Sequence, residues 1–176
     1  RVFITTLDGQ IYVSNNAGSS WQLLASLDEP ELVLDQLMID PRDSTVIYAS
    51  GHRQKDPGGF FKSTDGGKSW KESKELRSES IHSMTQSDKD PNVILVGALD
   101  GVWMSKDSGD HWEKISSTTM PVNVDSLVID PRNTSTFYAG TWWRAYKSTD
   151  SGQNWRLIRD GMIDDSDVFA VTIDPR

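Results

Sequence analysis

The chain has 176 residues, a formal net charge of −8 and no cysteine. Its length is sufficient for one domain with a substantial core, and it contains no apolar run long enough to predict a transmembrane helix. The acidic balance argues against nonspecific binding to nucleic acid or anionic membranes, and the lack of cysteine excludes disulfides and thiolate chemistry.

An eight-residue motif, Ser-x-Asp-x-Gly-x-x-Trp, occurs four times along the chain. The copies are "SNNAGSSW" (14–21), "STDGGKSW" (63–70), "SKDSGDHW" (105–112) and "STDSGQNW" (148–155). Only the first copy departs from the pattern, with Asn16 in place of aspartate. The copies are spaced by 49, 42 and 43 residues, a period typical of propellers and other repeat arrays.

Each repeat predicts four short strands, here named A to D in chain order. In the second repeat, strand A is "LDQLMIDPR", strand B is "TVIYASG", strand C is "GGFFKSTD", and strand D follows the motif tryptophan. These segments are β-branched or aromatic and are separated by Asp-Pro, Asp-Gly or Gly-Gly. Four strands in about 43 residues match one propeller blade. The sequence therefore predicts an all-β fold, a β-propeller of four-stranded antiparallel blades.

The whole chain, 1–176, is predicted to form a single propeller domain or propeller segment. The blades are expected at 1–27, 32–75, 79–116 and 122–160, and the first is completed by 166–176 or by another segment. Joining the last strand A to the first strand B would leave a shorter loop than in the other repeats. For this reason a piece of a larger ring, or a half-ring pairing with a second copy, is favoured over a closed four-bladed ring.

The octets resemble the Asp-box, or BNR repeat, of β-propellers such as sialidases, xyloglucan hydrolases, sortilin and photosystem II assembly factors. The residues of the octets resemble those of the assembly-factor propellers more than those of the sialidases. The resemblance implies a non-enzymatic binding or assembly scaffold with an extracytoplasmic location. It implies a protein partner first and carbohydrate second, with self-association through an open blade edge as a further expectation. No cofactor, metal, nucleic acid or membrane insertion is expected.

The motif residues are predicted to build a turn between strands C and D. The serine and aspartate oxygens bond nearby backbone N–H groups, the glycine adopts a positive φ, and the tryptophan packs as a buried wedge. These structural residues are Ser14, Asn16, Gly18, Trp21, Ser63, Asp65, Gly67, Trp70, Ser105, Asp107, Gly109, Trp112, Ser148, Asp150, Gly152 and Trp155.

Binding residues are predicted in the loops between strands B and C, which lie at the opposite end of each blade from the motif turns. The loop of the second repeat contains His52, Arg53 and Lys55, and that of the fourth contains Trp142, Trp143 and Arg144. Adjacent tryptophans on a strand point to opposite faces, so at least one of the pair is expected to be exposed. Exposed tryptophan beside arginine is typical of binding hot spots, whereas packing between blades is the structural alternative.

A glycoside hydrolase is the alternative function. Alignment of the repeats places Asp35, His82, Asp125 and Phe169 at one equivalent position near the start of strand A. Two carboxylates facing each other across a channel can serve glycoside hydrolysis when their separation is suitable. Under this hypothesis Asp35 and Asp125 are catalytic and His82 assists them.

Overall fold

A computed structural model describes residues 1–27, 31–53, 57–163 and 166–174. The chain divides into two compact units, residues 1–81 and 82–176. The described residues form fifteen strands and no helix: β1 (Val2–Thr5), β2 (Gln10–Ser14), β3 (Gln22–Ser26), β4 (Val33–Ile39), β5 (Ile47–His52), β6 (Pro57–Ser63), β7 (Lys71–Glu72), β8 (Ile81–Gln86), β9 (Ile94–Ala98), β10 (Gly101–Ser105), β11 (Glu113–Lys114), β12 (Val124–Ile129), β13 (Phe137–Thr141), β14 (Ala145–Ser148) and β15 (Arg156–Ile158).

The strands form four antiparallel sheets in which spatial order follows chain order. Three sheets have four strands each, β4 to β7, β8 to β11 and β12 to β15, and the first has three, β1 to β3. The predicted repeat of four antiparallel strands is thereby confirmed. Residues 168–174, predicted as an inner strand, carry no strand in the structure.

The second strand of each complete sheet forms the centre of the core. Strands β5 and β9 are buried along nearly their whole length, which matches their continuous apolar sequences. The core of the first unit is built around Ile11, Leu34, Ala49 and Phe61. The core of the second unit contains Leu95, Val102, Ile115, Val124, Phe137 and Trp155.

Close approach between neighbouring repeats explains a repeated glycine in the second unit. A Cβ on Gly97 would lie 2.3 Å from the Ser83 Oγ and 2.6 Å from a methyl of Val124. The Ser83 hydroxyl of β8 donates a hydrogen bond of 3.2 Å to the Val124 carbonyl of β12, so the first strands of these two sheets are joined directly. The same arrangement recurs one repeat later with Gly140, Ser126 and Val168. Any larger residue at these glycines would separate the repeats.

The Asp-box turn closes on its buried serine. In every copy the serine Oγ donates to the Oδ1 of the third residue and accepts a hydrogen bond from the glycine N–H, at 2.8–2.9 Å. Each serine thus bonds to two residues of its own box: Ser14 to Asn16 and Gly18, Ser63 to Asp65 and Gly67, Ser105 to Asp107 and Gly109, and Ser148 to Asp150 and Gly152. Asn16 therefore replaces aspartate without losing the acceptor, as the sequence predicts.

The third residue of the box also binds the seventh. In all four copies, its Oδ1 accepts a hydrogen bond of 2.9 Å from the backbone N–H of the seventh residue. These seventh residues are Ser20, Ser69, His111 and Asn154. In the three copies with aspartate, the Oδ2 also accepts a hydrogen bond from the side chain of the seventh residue. In the third copy, for example, the His111 Nδ1 lies 2.6 Å from the Asp107 Oδ2. In the first copy the direction is reversed, because the Asn16 amide donates to the Ser20 hydroxyl at 2.8 Å.

Each box glycine has a positive φ, between 83° and 91°, as predicted. The residue before each box glycine also has a positive φ; these residues are Ala17, Gly66, Ser108 and Ser151. The sequence does not predict this conformation, because three of the four are not glycine. The backbone N–H of this residue donates to the A–B turn of its own repeat in the last three repeats, for example Ser151 to the Ser135 carbonyl at 2.9 Å. The two turns at this end of each complete sheet are thus joined by a backbone hydrogen bond.

The four box tryptophans are not buried equally, which corrects the expectation of equivalent environments. Trp112 and Trp155 are each 4% exposed and Trp70 is half-buried, but Trp21 is 38% exposed. Trp70 packs against the core that the first two sheets share. Trp21 belongs to the first sheet, and no sheet precedes it within its unit, so this ring lacks the second surface.

Hydrogen bonds hold the pKa of the box carboxyls below their usual range. The hydroxyl and N–H of Ser69 lower the pKa of Asp65, and the Asn154 side chain lowers that of Asp150. Burial acts to raise the pKa of Asp107, but hydrogen bonds from His111 outweigh it and lower the pKa to about 2. The ionised carboxylate is therefore the form that stabilises the turn.

Trp155→Ala should destabilise the protein far more than Trp21→Ala. The Trp155 ring is buried beside Phe137, with the ring centroids 6.3 Å apart, so its removal leaves a cavity and should cost about 3–5 kcal/mol. Urea unfolding measures both losses. Equal losses at the two positions would contradict the difference in packing.

The box carboxylates should also make stability fall in acid. Their pKa values are lower in the folded chain than in the unfolded one, so the stabilisation is complete above about pH 4 and is lost towards about pH 2. Asp107→Asn should weaken this pH dependence of the unfolding free energy, and Asn16→Asp should strengthen it. Asp88→Asn, outside the boxes, serves as the control. An unchanged pH profile in both box variants would disprove a role for these carboxylates.

Candidate functional site

The exposed large apolar side chains of the second unit all lie at one end of its sheets. They belong to the loops between strands B and C, to the loops between strands D and A, and to the segment that follows β15. We call this surface the loop face; its apolar residues are Leu99, Val122, Trp142, Trp143, Met162, Ile163 and Phe169. Among the described residues of this unit, the opposite end, with its Asp-box turns, exposes no large apolar side chain.

Trp142 and Trp143 lie on a tight turn held by Thr141. The Thr141 hydroxyl accepts hydrogen bonds from the N–H groups of Trp143 and Arg144, at 3.3 and 3.1 Å, and donates to the Arg144 carbonyl at 2.9 Å. The sequence predicts that the two tryptophans alternate along a strand, which is wrong. The turn instead leaves both exposed, by 41% and 55%, because neither side chain is constrained by the pleat. Both tryptophans therefore offer surface to solvent, although part of each ring is covered by the protein.

Backbone hydrogen bonds fix the loops of this face to one another. The Trp142 N–H donates to the Asn123 carbonyl at 3.3 Å, and the Asn123 N–H donates to the Leu99 carbonyl at 2.9 Å. The Val168 N–H donates to the Thr141 carbonyl at 2.9 Å. The apolar side chains are thus presented by loops that hold each other in place.

Trp143 and Arg144 line a shallow depression together with Ile158, Met162 and Ile163. Arg159 lines the same depression and is exposed. Aromatic and apolar surface beside two arginines has the composition of a binding hot spot. The Trp-Trp-Arg segment is evident from the sequence, whereas Met162 and Ile163 are not among the predicted binding residues, although their connector is one of the segments that do not repeat.

The predicted binding residues of the second repeat lie in the first unit and have a different arrangement. His52 ends β5, and its Nδ1 lies 2.6 Å from the Asp35 Oδ2. Arg53 donates to the Pro57 carbonyl within the same loop. Lys55 lies outside the described residues. The structure therefore brings together Asp35 and His52, which the sequence analysis had assigned to separate sites.

The two proposed catalytic aspartates occupy equivalent bulges. Asp35 is the extra residue where the pairing of β4 with β5 shifts, and Asp125 is the extra residue where β12 pairs with β13. Bulges of this kind redirect side chains and are frequent beside active sites. Asp35 and Asp125 belong to different units, as do Asp35 and His82. Asp35 is paired with His52, whereas Asp125 and His82 are half-buried.

Comparison with known proteins identifies the fold and the family. The family model described as Sortilin-Vps10 (sortilin, neurotensin receptor 3) matches residues 58–167, more than half of the chain. A xyloglucanase from a Paenibacillus species is 27% identical over 203 residues, which cover 89% of this chain and 20% of the relative. The chain thus spans about a fifth of the length of this curated relative.

Solved structures of two kinds are similar to this chain. An ancestral GH74 enzyme has a TM-score of 0.77 at 25% identity, covering 89% of this chain and 22% of that one. YCF48 from Cyanidioschyzon merolae has a TM-score of 0.68 at 16% identity, covering 96% of this chain and 58% of that one. These similarities confirm the predicted β-propeller fold, which both kinds of protein share. None of the described residues forms a helix suited to crossing a membrane.

Proposed function

Because the chain belongs to the Sortilin-Vps10 family of β-propellers, we propose that it is a non-enzymatic binding and assembly scaffold. The loop face of the second unit binds a protein partner. One observation supports this most strongly: all seven exposed large apolar residues of that unit occur at this end. Exposed apolar residues that concentrate at one end of a protein are typical of an interaction surface.

The contacts of the loop face suit a protein rather than a small ligand. The depression beside Trp143 is shallow, and the apolar residues are spread over several connectors rather than gathered in a deep pocket. Two tryptophans on a hydrogen-bonded turn supply large contact area at low cost in conformational entropy, because each side chain has only two rotatable bonds. Arg144 and Arg159 add positive charge to an otherwise acidic chain, which favours acidic groups beside the apolar contacts of the partner.

We propose an extracytoplasmic location for this scaffold. The description of the matched family names a receptor, neurotensin receptor 3, which supports this proposal. The lack of cysteine in the chain is compatible with an oxidising or a reducing compartment.

A glycoside hydrolase is the second candidate. It is favoured by the similarity to a xyloglucanase and by the equivalent bulges that carry Asp35 and Asp125. In this case one carboxylic acid would protonate the leaving oxygen of the glycosidic bond, while the other carboxylate would act as base or nucleophile. His82 would assist from the position equivalent to theirs.

The double variant Trp143→Ala with Arg144→Ala tests the scaffold proposal. Capture of the partner by the tagged chain from an extract of its source should fall at least tenfold, because hot-spot contacts are lost. The thermal midpoint should stay nearly unchanged, since both side chains are exposed. Arg156→Ala, an exposed arginine on β15, is the control for loss of charge and should leave capture intact.

The same preparations distinguish the two functions. Release of reducing ends from xyloglucan by the unmodified chain, abolished by Asp35→Asn or Asp125→Asn, would favour the hydrolase. A large loss of stability with unaltered capture in the double variant would show that the tryptophan turn serves packing instead.

We also propose that the first sheet contributes to self-association. Val2 and Ile4 are 44% and 42% exposed, whereas the residues at the equivalent positions of the other sheets are at most 1% exposed. Sedimentation of the chain should show association that Ile4→Glu reduces. A monomer at all concentrations would contradict this proposal.

A further inference from the structure

The second unit contains a cleft of about 500 Å³ at the end of its sheets opposite the loop face. One wall is the outer strand of the third sheet, with Glu113, Lys114 and Ser116. The other wall belongs to the fourth repeat, with Thr134 and Ser135 of its A–B turn and Ser151 of its Asp-box. This volume lies within the range of about 300–1,000 Å³ that is usual for binding sites.

The floor of the cleft is apolar and rigid. It consists of Val93, Met104, Ile115 and Phe137, all of which belong to or pack against the core of the unit. Ile115 is held tightly, since a Cβ added at Gly152 would lie only 2.7 Å from its Cδ1. A ligand side chain placed here would contact Met104, which is only partly buried.

One wall offers an unpaired strand edge. Lys114 pairs with Trp103, and the adjacent Ile115 N–H donates to the Val102 carbonyl at 2.9 Å. Backbone groups alternate in direction along an antiparallel strand, so the N–H and C=O of Lys114 point away from β10. They are available to pair with an added strand.

The opposite wall offers hydroxyl groups. Its backbone is already satisfied, because the Ser151 N–H donates to the Ser135 carbonyl at 2.9 Å. Within the described part of the chain, the hydroxyls of Thr134, Ser135 and Ser151 have no hydrogen-bond partner. Hydroxyls can both donate and accept, so this wall can bond either a carbonyl or an N–H.

We propose that this cleft binds an extended peptide segment of a partner protein. The segment pairs with the edge of β11, directs one apolar side chain onto Met104, and bonds the hydroxyl wall with its outer backbone groups. The aromatic residue of the lining, Phe137, is 1% exposed and offers no surface on which a sugar ring could stack. Lys106 and Glu113 carry opposite charges at the rim, which does not favour a polyanion.

The repeats themselves provide a variant that should block the cleft without disturbing the fold. Met104 immediately precedes the box serine, and the same position holds Lys62 in the second repeat and Lys147 in the fourth. Met104→Lys therefore introduces a residue that equivalent sheets already accommodate, and it places a charge over the apolar floor. Thr134→Tyr fills the cleft from the opposite wall.

A random heptapeptide library displayed on phage is selected on the full chain, with Met104→Lys used for counter-selection. The best peptide is then labelled, and its affinity is measured by fluorescence anisotropy. We expect binding to weaken at least tenfold in Met104→Lys and in Thr134→Tyr, with thermal midpoints close to that of the unmodified chain. A peptide methylated on its central backbone nitrogen should also bind at least tenfold more weakly, because it loses one strand hydrogen bond.

Trp143→Ala on the loop face is the control and should leave the affinity for the peptide unchanged. Failure to select any peptide that distinguishes the chain from Met104→Lys would overturn the proposal. Binding by both cleft variants as tight as that by the unmodified chain, or loss of binding in Trp143→Ala, would overturn it as well. The outcome is independent of partner capture by the loop face, so the two proposals can fail separately.

Discussion

The hydroxyl of the Asp-box serine is the interaction on which the repeats depend. Each of the four serines is 1% exposed, and a buried hydroxyl must find partners for its donor and its acceptor sites. It does so inside the turn, by donating to the carboxylate or amide oxygen and accepting the glycine N–H. The C–D connection can therefore be short and polar while its serine is buried. The turn then fixes the direction of the outer strand and places the tryptophan against the core.

The two ends of each sheet therefore differ in structure. At the Asp-box end, the A–B and C–D turns are joined by backbone hydrogen bonds, such as that from Ser151 to Ser135. At the loop face, the connectors differ in length and composition from repeat to repeat. Function often lies on variable loops that a rigid scaffold supports, and in the second unit these loops carry the exposed aromatic and apolar surface.

The two proposed sites of the second unit use different physical means. On the loop face, tryptophans on a hydrogen-bonded turn offer apolar area beside arginine, which suits the surface of a folded partner. In the cleft, the edge of β11 offers backbone hydrogen bonds above an apolar floor, which suits an extended segment. A scaffold that joins proteins benefits from two such sites at opposite ends of its sheets. In the first unit, the equivalent end of the second sheet instead has a polar contact between Asp35 of β4 and His52 of β5.

The repeat, the four-stranded antiparallel sheet and the hydrogen bonding of the Asp-box are all predictable from the amino-acid sequence. These features are local: the serine, the aspartate or asparagine, and the glycine lie within five residues, so their spacing specifies the turn. The retention of the turn at Asn16 was also predictable, because its amide oxygen accepts the hydrogen bonds that an aspartate Oδ1 accepts in the other copies. The exposure of Trp142 or Trp143 was also predictable, although the strand geometry assumed for the pair was wrong.

The surroundings of each repeated residue depend on tertiary packing and do not follow from the motif. Trp21 and Trp155 have the same place in the motif, yet one is 38% exposed and the other 4%, because burial depends on the neighbouring sheet. The gathering of Met162 and Ile163 beside Trp143 depends on loops distant in sequence, which no spacing rule relates. The contact between Asp35 and His52 arises from strand register and a bulge, and the cleft beside β11 arises from the gap between two repeats. Local patterns specify turns and strands, whereas sites arise from packing between them.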